Sequence, residues 1–258
     1  MRALQVNAFA RAAAAGLLAV LWLAAVTPAA AQRGRPPAPA SPRDAAPIDL
    51  TGQWVSIVTE DWRFRMMTPP KGDISGVSLT PAGQATAESW DPARDEAEGN
   101  ACKAYGVGNI MRMPGRIRIS WDDGSTLRIE TDAGRQTRLL HFGDVPEPAG
   151  EPTWQGVSRA EWIMHGGGRG RPPVYGSLHV VTTGMKPGYL RKNGVPYGAE
   201  AVVTEYFDLL HHPDGSQWLV VKTIVEDPEY LAAPFITSSN FRKEEDRSGW
   251  NPTPCRAR

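Results

Sequence analysis

Apolar and polar residues alternate with period two along most of this chain, and this alternation constrains its fold more than any other feature. In the stretch 116–121, Ile117, Ile119 and Trp121 share one face, and polar residues occupy the other. The Asp-Gly pair at 123–124 is typical of a hairpin turn. Because successive side chains of a strand point to opposite faces, the pattern predicts antiparallel strands joined by short turns.

About ten segments carry this strand pattern. We predict strands at 53–59, 62–67, 116–121, 126–131, 137–142, 158–164, 177–183, 200–208, 217–225 and 235–243. Helix signals are few: Thr80-Pro81 and Asp91-Pro92 each place a capping residue before a proline and predict short helices over 81–89 and 92–98. The crossover helices of a parallel α/β sheet are missing, which favours an antiparallel barrel or sandwich.

The segment 49–54 (Asp-Leu-Thr-Gly-Gln-Trp) resembles the Gly-x-Trp opening of lipocalin-type barrels. In that family the tryptophan plugs the closed end of the barrel, and Gly52 and Trp54 stand at the matching positions here. The alternative is a core tryptophan on any first strand. With this resemblance we predict a mainly β fold: an antiparallel, lipocalin-like β-barrel of about ten strands with two short helices near 81–98.

The first 31 residues have the pattern of a secretory signal peptide. Arg2 and Arg11 flank a basic start, 12–26 is an apolar run, and Ala29-Ala30-Ala31 is a small-residue cleavage site. The pattern predicts cleavage before Gln32, with an uncleaved anchor as the alternative. Residues 32–47 are rich in proline and alanine and are predicted to be a linker, followed by a single barrel domain over 48–258. The protein is therefore expected in the periplasm or secreted.

The chain has two cysteines, Cys102 and Cys255. An even pair in an oxidising compartment predicts a disulfide bond. The alternative, a two-cysteine metal or redox site, lacks the Cys-x-x-Cys spacing.

Charge excludes some partners. The chain carries 28 basic and 28 acidic residues, with no basic block. Nucleic acid is therefore not expected as a partner, nor is stable membrane insertion after signal cleavage. The oligomeric state is left open.

A broader resemblance covers most of the mature chain, to an uncharacterised family of secreted bacterial proteins. Four blocks carry it: Ile110-Met111-Arg112-Met113-Pro114-Gly115-Arg116, Pro152-Thr153-Trp154-Gln155-Gly156, Val203-Thr204-Glu205-Tyr206-Phe207 and Ile224-Val225-Glu226-Asp227-Pro228. Ser158 extends the second block as in the family, whereas Tyr206 stands where the family has arginine. The resemblance implies the compartment and a β fold, but no chemistry.

Motifs for metal binding and nucleophilic catalysis are lacking. The five histidines are His141, His165, His179, His211 and His212, and none has a spacing that converges on one ion. The chain has no Gly-x-Ser-x-Gly elbow, and the glycine run at 166–170 lacks the residues of a phosphate-binding loop. We therefore expect no metal and no cofactor.

Two carboxylates are candidates for acid–base catalysis. Glu205 lies on an apolar strand and shares a face with Val203 and Phe207. Asp227 lies at a strand end before a proline. The alternative for Glu205 is a structural ion pair, with Arg112 or Arg138 as its partner.

Aromatic residues provide the candidates for ligand binding. The chain has nine tryptophans, of which we single out Trp54, Trp62 and Trp121 on predicted strands. The long loop 185–197 carries Tyr189, Arg191 and Tyr197 and could cover the mouth of a pocket. Its alternative is a plain exposed connection.

Three functions remain open from the sequence. We favour non-catalytic binding of a small, partly apolar or aromatic ligand. The second hypothesis is a periplasmic isomerase or hydrolase that uses Glu205 or Asp227. The third is a structural module of the cell envelope without a ligand.

Overall fold

The structure is a computed structural model that describes residues 40–145, 150–166 and 175–257. The predicted signal peptide, its cleavage site and the linker up to residue 39 lie outside the described residues. So does most of the glycine run at 166–170.

Strands dominate the described chain, as predicted. They are β1 (Gly52–Ile57), β2 (Arg116–Trp121), β3 (Thr126–Thr131), β4 (Thr137–Phe142), β5 (Val157–His165), β6 (Tyr175–Thr183), β7 (Gly188–Tyr189), β8 (Pro196–Tyr197), β9 (Val202–His211), β10 (Gln217–Glu226) and β11 (Phe235–Glu244). Nine of them close into a barrel in the order β1-β11-β10-β9-β6-β5-β4-β3-β2, while β7 and β8 form a separate ribbon. The predicted barrel is confirmed.

One pairing differs from the prediction of an antiparallel barrel. β4 and β5 run parallel over three residue pairs, Leu140 with Ser158 to Phe142 with Ala160. The chain therefore leaves β4 at one end of the barrel and enters β5 toward the other, instead of turning back as a hairpin. Parallel strands require such a crossover, and period-two alternation does not show the direction in which a strand returns.

Three helices lie between β1 and β2: α1 (Trp62–Met66), α2 (Pro81–Glu88) and α3 (Pro92–Ala97). The predicted helices α2 and α3 are confirmed, with bounds within one residue of those expected. The Thr80 hydroxyl accepts a hydrogen bond from the Gly83 amide (3.1 Å), and the Asp91 carboxylate accepts one from Ala93 (3.0 Å). Two 3₁₀ turns follow, Lys103–Tyr105 and Ile110–Arg112.

The strand predicted at 62–67 is wrong, because this segment forms α1. Asp61 has a left-handed backbone (φ 53°), which turns the chain out of its extended path. The Arg65 side chain then folds back into the protein, where it is 5% exposed. A single helical turn is too short for its apolar pattern to be distinguished from that of a strand.

Apolar side chains fill the barrel interior. Those that are 1% exposed or less include Trp54, Ile129, Leu140, Leu178, Val180, Phe207, Leu219, Val221 and Phe241. They come from strands on all sides of the barrel, so their packing fixes its cross-section. The space inside the barrel is therefore occupied by the protein's own side chains.

The first end of the barrel is covered by residues 40–51. The Trp162 indole donates a hydrogen bond to the Pro42 carbonyl (2.8 Å). The Arg43 amide donates one to the Gly124 carbonyl (3.0 Å). The packed part of the chain therefore begins before Ile48, inside the segment expected to be a linker.

The second end is covered by the cap, which we define as residues 58–115 and 184–201. Tyr197 is fully buried in it. A Cβ atom at Gly106 or Gly188 would clash with the Tyr197 hydroxyl, so these glycines allow the close approach. The cap is thus a packed layer and not an exposed connection. Within the described residues, no helix is long and apolar enough to cross a membrane.

The predicted disulfide between Cys102 and Cys255 is present and spans 153 positions. Near it, the Ala257 amide donates to the Glu96 carboxylate (2.7 Å), and the Thr253 amide donates to the Asp132 carbonyl (2.8 Å). These contacts hold the C-terminal segment against the cap and the second end of the barrel.

Replacing both cysteines by serine should lower the free energy of unfolding by up to about 5 kcal/mol, because so long a loop gains much chain entropy when it is opened. Urea denaturation of the oxidised protein and of the double variant measures the difference. An unchanged denaturation midpoint would contradict a stabilising bond.

Candidate functional site

The candidate site is a cleft at the second end of the barrel, with a volume of about 460 Å³. Its lining comes from five separate parts of the chain. These lining residues are Glu60, Asp61, Phe64, Arg65, Ser75, Gly76, Arg112, Arg191, Phe235, Ile236, Thr237 and Ser238. The cleft combines two aromatic rings with three arginines and two carboxylates.

Local structure brings these side chains together. The single turn of α1 directs Phe64 and Arg65 to the cleft, and the 3₁₀ turn Ile110–Arg112 places Arg112 beneath them. The ribbon β7–β8 carries Arg191 in its turn. The start of β11 supplies Phe235, which is 7% exposed.

All three guanidinium nitrogens of Arg65 donate to groups of the protein. Its Nε donates to the Arg112 carbonyl (2.8 Å), and its Nη2 donates to the Ser56 hydroxyl (3.1 Å). Its Nη1 forms an ion pair with Glu60. Arg65 therefore joins α1 to the end of β1, and each of its three guanidinium nitrogens already donates to a group of the protein.

Arg112 also links separate segments of the cap. Its Nη1 donates to the Leu190 carbonyl (2.7 Å) and to the Asn109 side chain (3.0 Å), and its Nη2 pairs with Asp61. Burial lowers the pKa of Arg112 to about 10, against the attraction of Asp61. That pKa is well above 7, so the guanidinium is charged at neutral pH.

Arg191 differs from both. Its Nη1 donates to the Ser75 carbonyl (2.7 Å), and its guanidinium carbon lies 3.8 Å from the centre of the Phe64 ring. The Phe235 ring lies on the cleft 5.8 Å away. Burial lowers the pKa of Arg191, although Asp61 and Asp73 oppose this effect. Among the described residues, no carboxylate forms an ion pair with it.

The predicted ligand-binding tryptophans do not meet at one place. Trp54 is fully buried in the barrel, where its indole donates to the Leu50 carbonyl (3.0 Å). Trp121 lies at the first end, with its ring centre 5.5 Å from that of Phe142. Trp62 is 61% exposed on α1, the helix that also carries the lining residues Phe64 and Arg65.

Of the three candidates on the loop 185–197, one lines the cleft. That residue is Arg191. Tyr189 is half-buried, and its hydroxyl donates to the buried Asp95 carboxylate (2.8 Å). Burial and this hydrogen bond raise the pKa of Tyr189. Tyr197 fills the cap.

Glu205 forms the structural ion pair that the sequence offered as an alternative. Its carboxylate accepts two hydrogen bonds from Arg138, at 3.1 and 2.5 Å, and both side chains are fully buried. The pair joins β4 and β9 inside the barrel. Because its carboxylate is bound on both oxygens and does not line the cleft, Glu205 has no access to a substrate there.

Asp227 also has a structural role. Its two carboxylate oxygens accept hydrogen bonds from the amides of Gly198 (2.5 Å), Glu229 (2.8 Å) and Tyr230 (3.1 Å). They tie the cap to the turn that follows β10. Asp227 does not line the cleft either, so neither candidate carboxylate is placed for acid–base catalysis on a ligand in it.

One Ser, His and Asp group lies on the outer face of the barrel. The Ser177 hydroxyl donates to Asp208 and lies 2.9 Å from Nε2 of His165. His165 and Asp208 thus both contact Ser177. Activation of a serine nucleophile requires the aspartate to orient the histidine instead, and Asp208 does not do so. In the described part of the chain, no group of three or more His, Cys, Asp or Glu residues could hold a metal ion.

Sequence reasoning missed Phe64, Phe235 and the pair Glu60 and Asp61. The available signal was the alternation of aromatic residues and arginine in 62–65, which we interpreted as a strand. The four sequence blocks described above each border the second end of the barrel in the structure. They lie before β2, before β5, at the start of β9 and at the end of β10.

The Arg138–Glu205 pair gives a prediction on stability. Glu205→Gln should lower the free energy of unfolding by about 3–5 kcal/mol, because it leaves a buried arginine without its partner. Replacing both residues, Arg138→Met with Glu205→Leu, should recover most of this loss. Urea denaturation of the three proteins measures the order. A double variant that is less stable than Glu205→Gln would contradict the account.

Comparison with known protein families, with curated proteins and with solved structures gave no match. Both resemblances, to lipocalins and to the family of secreted bacterial proteins, therefore stay predictions. The case for a function rests on the geometry of the cleft.

Proposed function

We propose that the protein binds a small, partly apolar ligand in the cleft at the second end of the barrel, without catalysing a reaction. The observation that carries the proposal is a buried guanidinium, that of Arg191, whose carbon lies 3.8 Å from the ring centre of Phe64 and 5.8 Å from that of Phe235. This arrangement offers both an apolar wall and a polar anchor, the combination that small-molecule sites use.

The size of the cleft is compatible with this proposal. Its volume of about 460 Å³ lies within the range of roughly 300–1,000 Å³ found for ligand pockets. The apolar wall is continued by Ile236, which is 61% exposed at the start of β11. A flat apolar body would cover this side chain and the two phenylalanine rings.

Binding is favoured over catalysis by the state of the carboxylates in the cleft. Glu60 and Asp61 are each held by an arginine, Arg65 and Arg112 respectively. A carboxylate engaged in an ion pair of this kind suits a wall of a site better than a proton carrier.

We place this function in the periplasm or outside the cell. The signal pattern at 1–31 and the Pro-rich segment after it support this compartment. The disulfide Cys102–Cys255 supports it as well, since such bonds persist in oxidising environments.

A second candidate function is an interaction module. It is favoured by one observation: Trp62, Met66 and Met67 are 58–61% exposed on and after α1. Large apolar side chains grouped at a surface are typical of contact sites. This candidate predicts a partner protein instead of a small molecule.

Ser238→Trp tests the proposal. Ser238 is exposed and lines the cleft, so a tryptophan there should fill the cleft without disturbing the fold. Native mass spectrometry of the mature protein, purified from its own host, should show a bound small molecule that the variant lacks. Ser120→Trp is the matched control, because Ser120 is an exposed serine on β2, away from the cleft.

The bound mass should remain in the Ser120→Trp protein. Equal loss from both variants would show that the molecule binds elsewhere. A native protein that carries no small molecule, but elutes with a partner protein that Trp62→Ser releases, would favour the interaction module.

A further inference from the structure

The cleft holds more positive than negative charge. Three guanidiniums line it, those of Arg65, Arg112 and Arg191, against the two carboxylates of Glu60 and Asp61. Each carboxylate already forms an ion pair, one with Arg65 and one with Arg112. One net positive charge remains, and it belongs to Arg191.

A buried guanidinium without an ion-pair partner, such as that of Arg191, lowers the stability of the fold. Arg191 is 3% exposed, and within the described chain the groups in contact with its guanidinium are a backbone carbonyl and the faces of aromatic rings, while the carboxylates of Asp61 and Asp73 act on it from beyond ion-pair distance. Buried charges are normally paired, because an unpaired charge loses its hydration and gains no attraction of similar size from the protein. Its position on the cleft makes an anion from outside the natural partner.

The free donors of Arg191 are those that fit a carboxylate. Its Nε is buried without a hydrogen-bond partner, and its Nη2 makes no hydrogen bond to another described residue. The same Nε–Nη2 edge of Arg128 holds Asp122 with two bonds of 2.6 Å, and that of Arg116 holds Glu244 at 2.8 and 3.1 Å. The edge that the protein uses elsewhere for carboxylates has no hydrogen-bond partner at Arg191 among the described residues.

Building on the proposed function, we propose that the ligand carries a single negative charge, a carboxylate that binds the Nε–Nη2 edge of Arg191, attached to a flat apolar body. One net charge calls for a monoanion, whereas a phosphate monoester would bring close to two negative charges. Phe64, Phe235 and Ile236 supply the contact for the apolar body.

The carboxylate contacts Nη2 first, since Nε is shielded from solvent. A second buried nitrogen, Nε of Arg112, also lacks a hydrogen-bond partner. Both arginines are 3% exposed, so an anion that reaches them is bound in surroundings of low dielectric, where charge-assisted hydrogen bonds are strong.

A matched pair of probes separates charge from shape: 2-naphthoate and its neutral isostere 2-naphthamide. Isothermal titration calorimetry of the mature protein should show 2-naphthoate binding about 10- to 100-fold tighter than 2-naphthamide, the range expected for hydrogen bonds to a charged group. The preference should shrink only slightly as salt is added, because a buried charge pair is screened much less than an exposed one. Naphthyl phosphate, as a third probe, should bind no tighter than 2-naphthoate.

Arg191→Gln should abolish the preference for 2-naphthoate and leave the affinity for 2-naphthamide nearly unchanged. Arg128→Gln is the matched control: it removes the same charge from an arginine at the first end of the barrel and should keep the preference. Thermal denaturation shows whether each variant is folded.

A second pair of variants does not depend on the fold tolerating a change at Arg191. Ile236→Glu and Ile236→Gln alter one exposed side chain at the cleft in matched ways. The glutamate should weaken 2-naphthoate several-fold relative to the glutamine, by like-charge repulsion, and should spare 2-naphthamide.

The outcomes separate the two proposals. Equal binding of 2-naphthoate and 2-naphthamide overturns the assignment of an anion and leaves a binding protein. Tighter binding of naphthyl phosphate overturns the monoanion. If neither probe binds, the charge of the molecule that copurifies decides: an anionic molecule supports the inference and a neutral one overturns it. Absence of any bound molecule overturns the proposed function as well.

Discussion

Closure of the barrel by β1 is the constraint on which the rest of the structure depends. This six-residue strand pairs with β2 on one side and with β11 on the other, so it joins the beginning and the end of the folded chain. Closure turns the inner faces of nine strands toward one another and leaves no free edge among them. Side chains from all of them then have to fill one interior.

A filled interior decides where function can lie. The inner face accepts a charge only where it is matched, as Arg138 and Glu205 are matched inside the barrel. Charged groups that lack such a partner lie at the ends or on the outer surface. At the second end, β1 and β6 both give way to long connections, 58–115 and 184–201, and these connections bring the arginines of the cleft together. The cleft is thus a product of the cap, held in place by the barrel.

Much of the barrel was predictable from the sequence, because alternation reports directly which face of a strand is buried. The strands from β2 to β11 in the barrel lie close to their predicted positions, and the Cys102–Cys255 bond followed from count and compartment. The exceptions are informative. The turn at α1 was too short for its period to be recognised, and the parallel pairing of β4 with β5 depends on a connection without its own pattern.

The cleft was much harder to predict. Only Arg191 was singled out correctly as a lining residue, because an arginine in a long aromatic-rich loop is conspicuous. Phe64, Phe235 and the two carboxylates come from segments far apart in sequence, and their meeting depends on how the cap packs. Trp54, a predicted ligand contact, lies in the barrel core. A large aromatic side chain fits a pocket wall and a barrel core equally well, so its sequence position does not distinguish the two.

The central claim is that a filled barrel presents one uncompensated arginine at its second end and binds an anion there. A crystal structure of the protein with 6-bromo-2-naphthoate tests it most directly, because anomalous scattering locates the bromine without ambiguity. The account predicts the carboxylate at Arg191 and the ring against Phe64 and Phe235, with the barrel interior unchanged. A probe found inside the barrel, or at the first end beside Trp121, would contradict it.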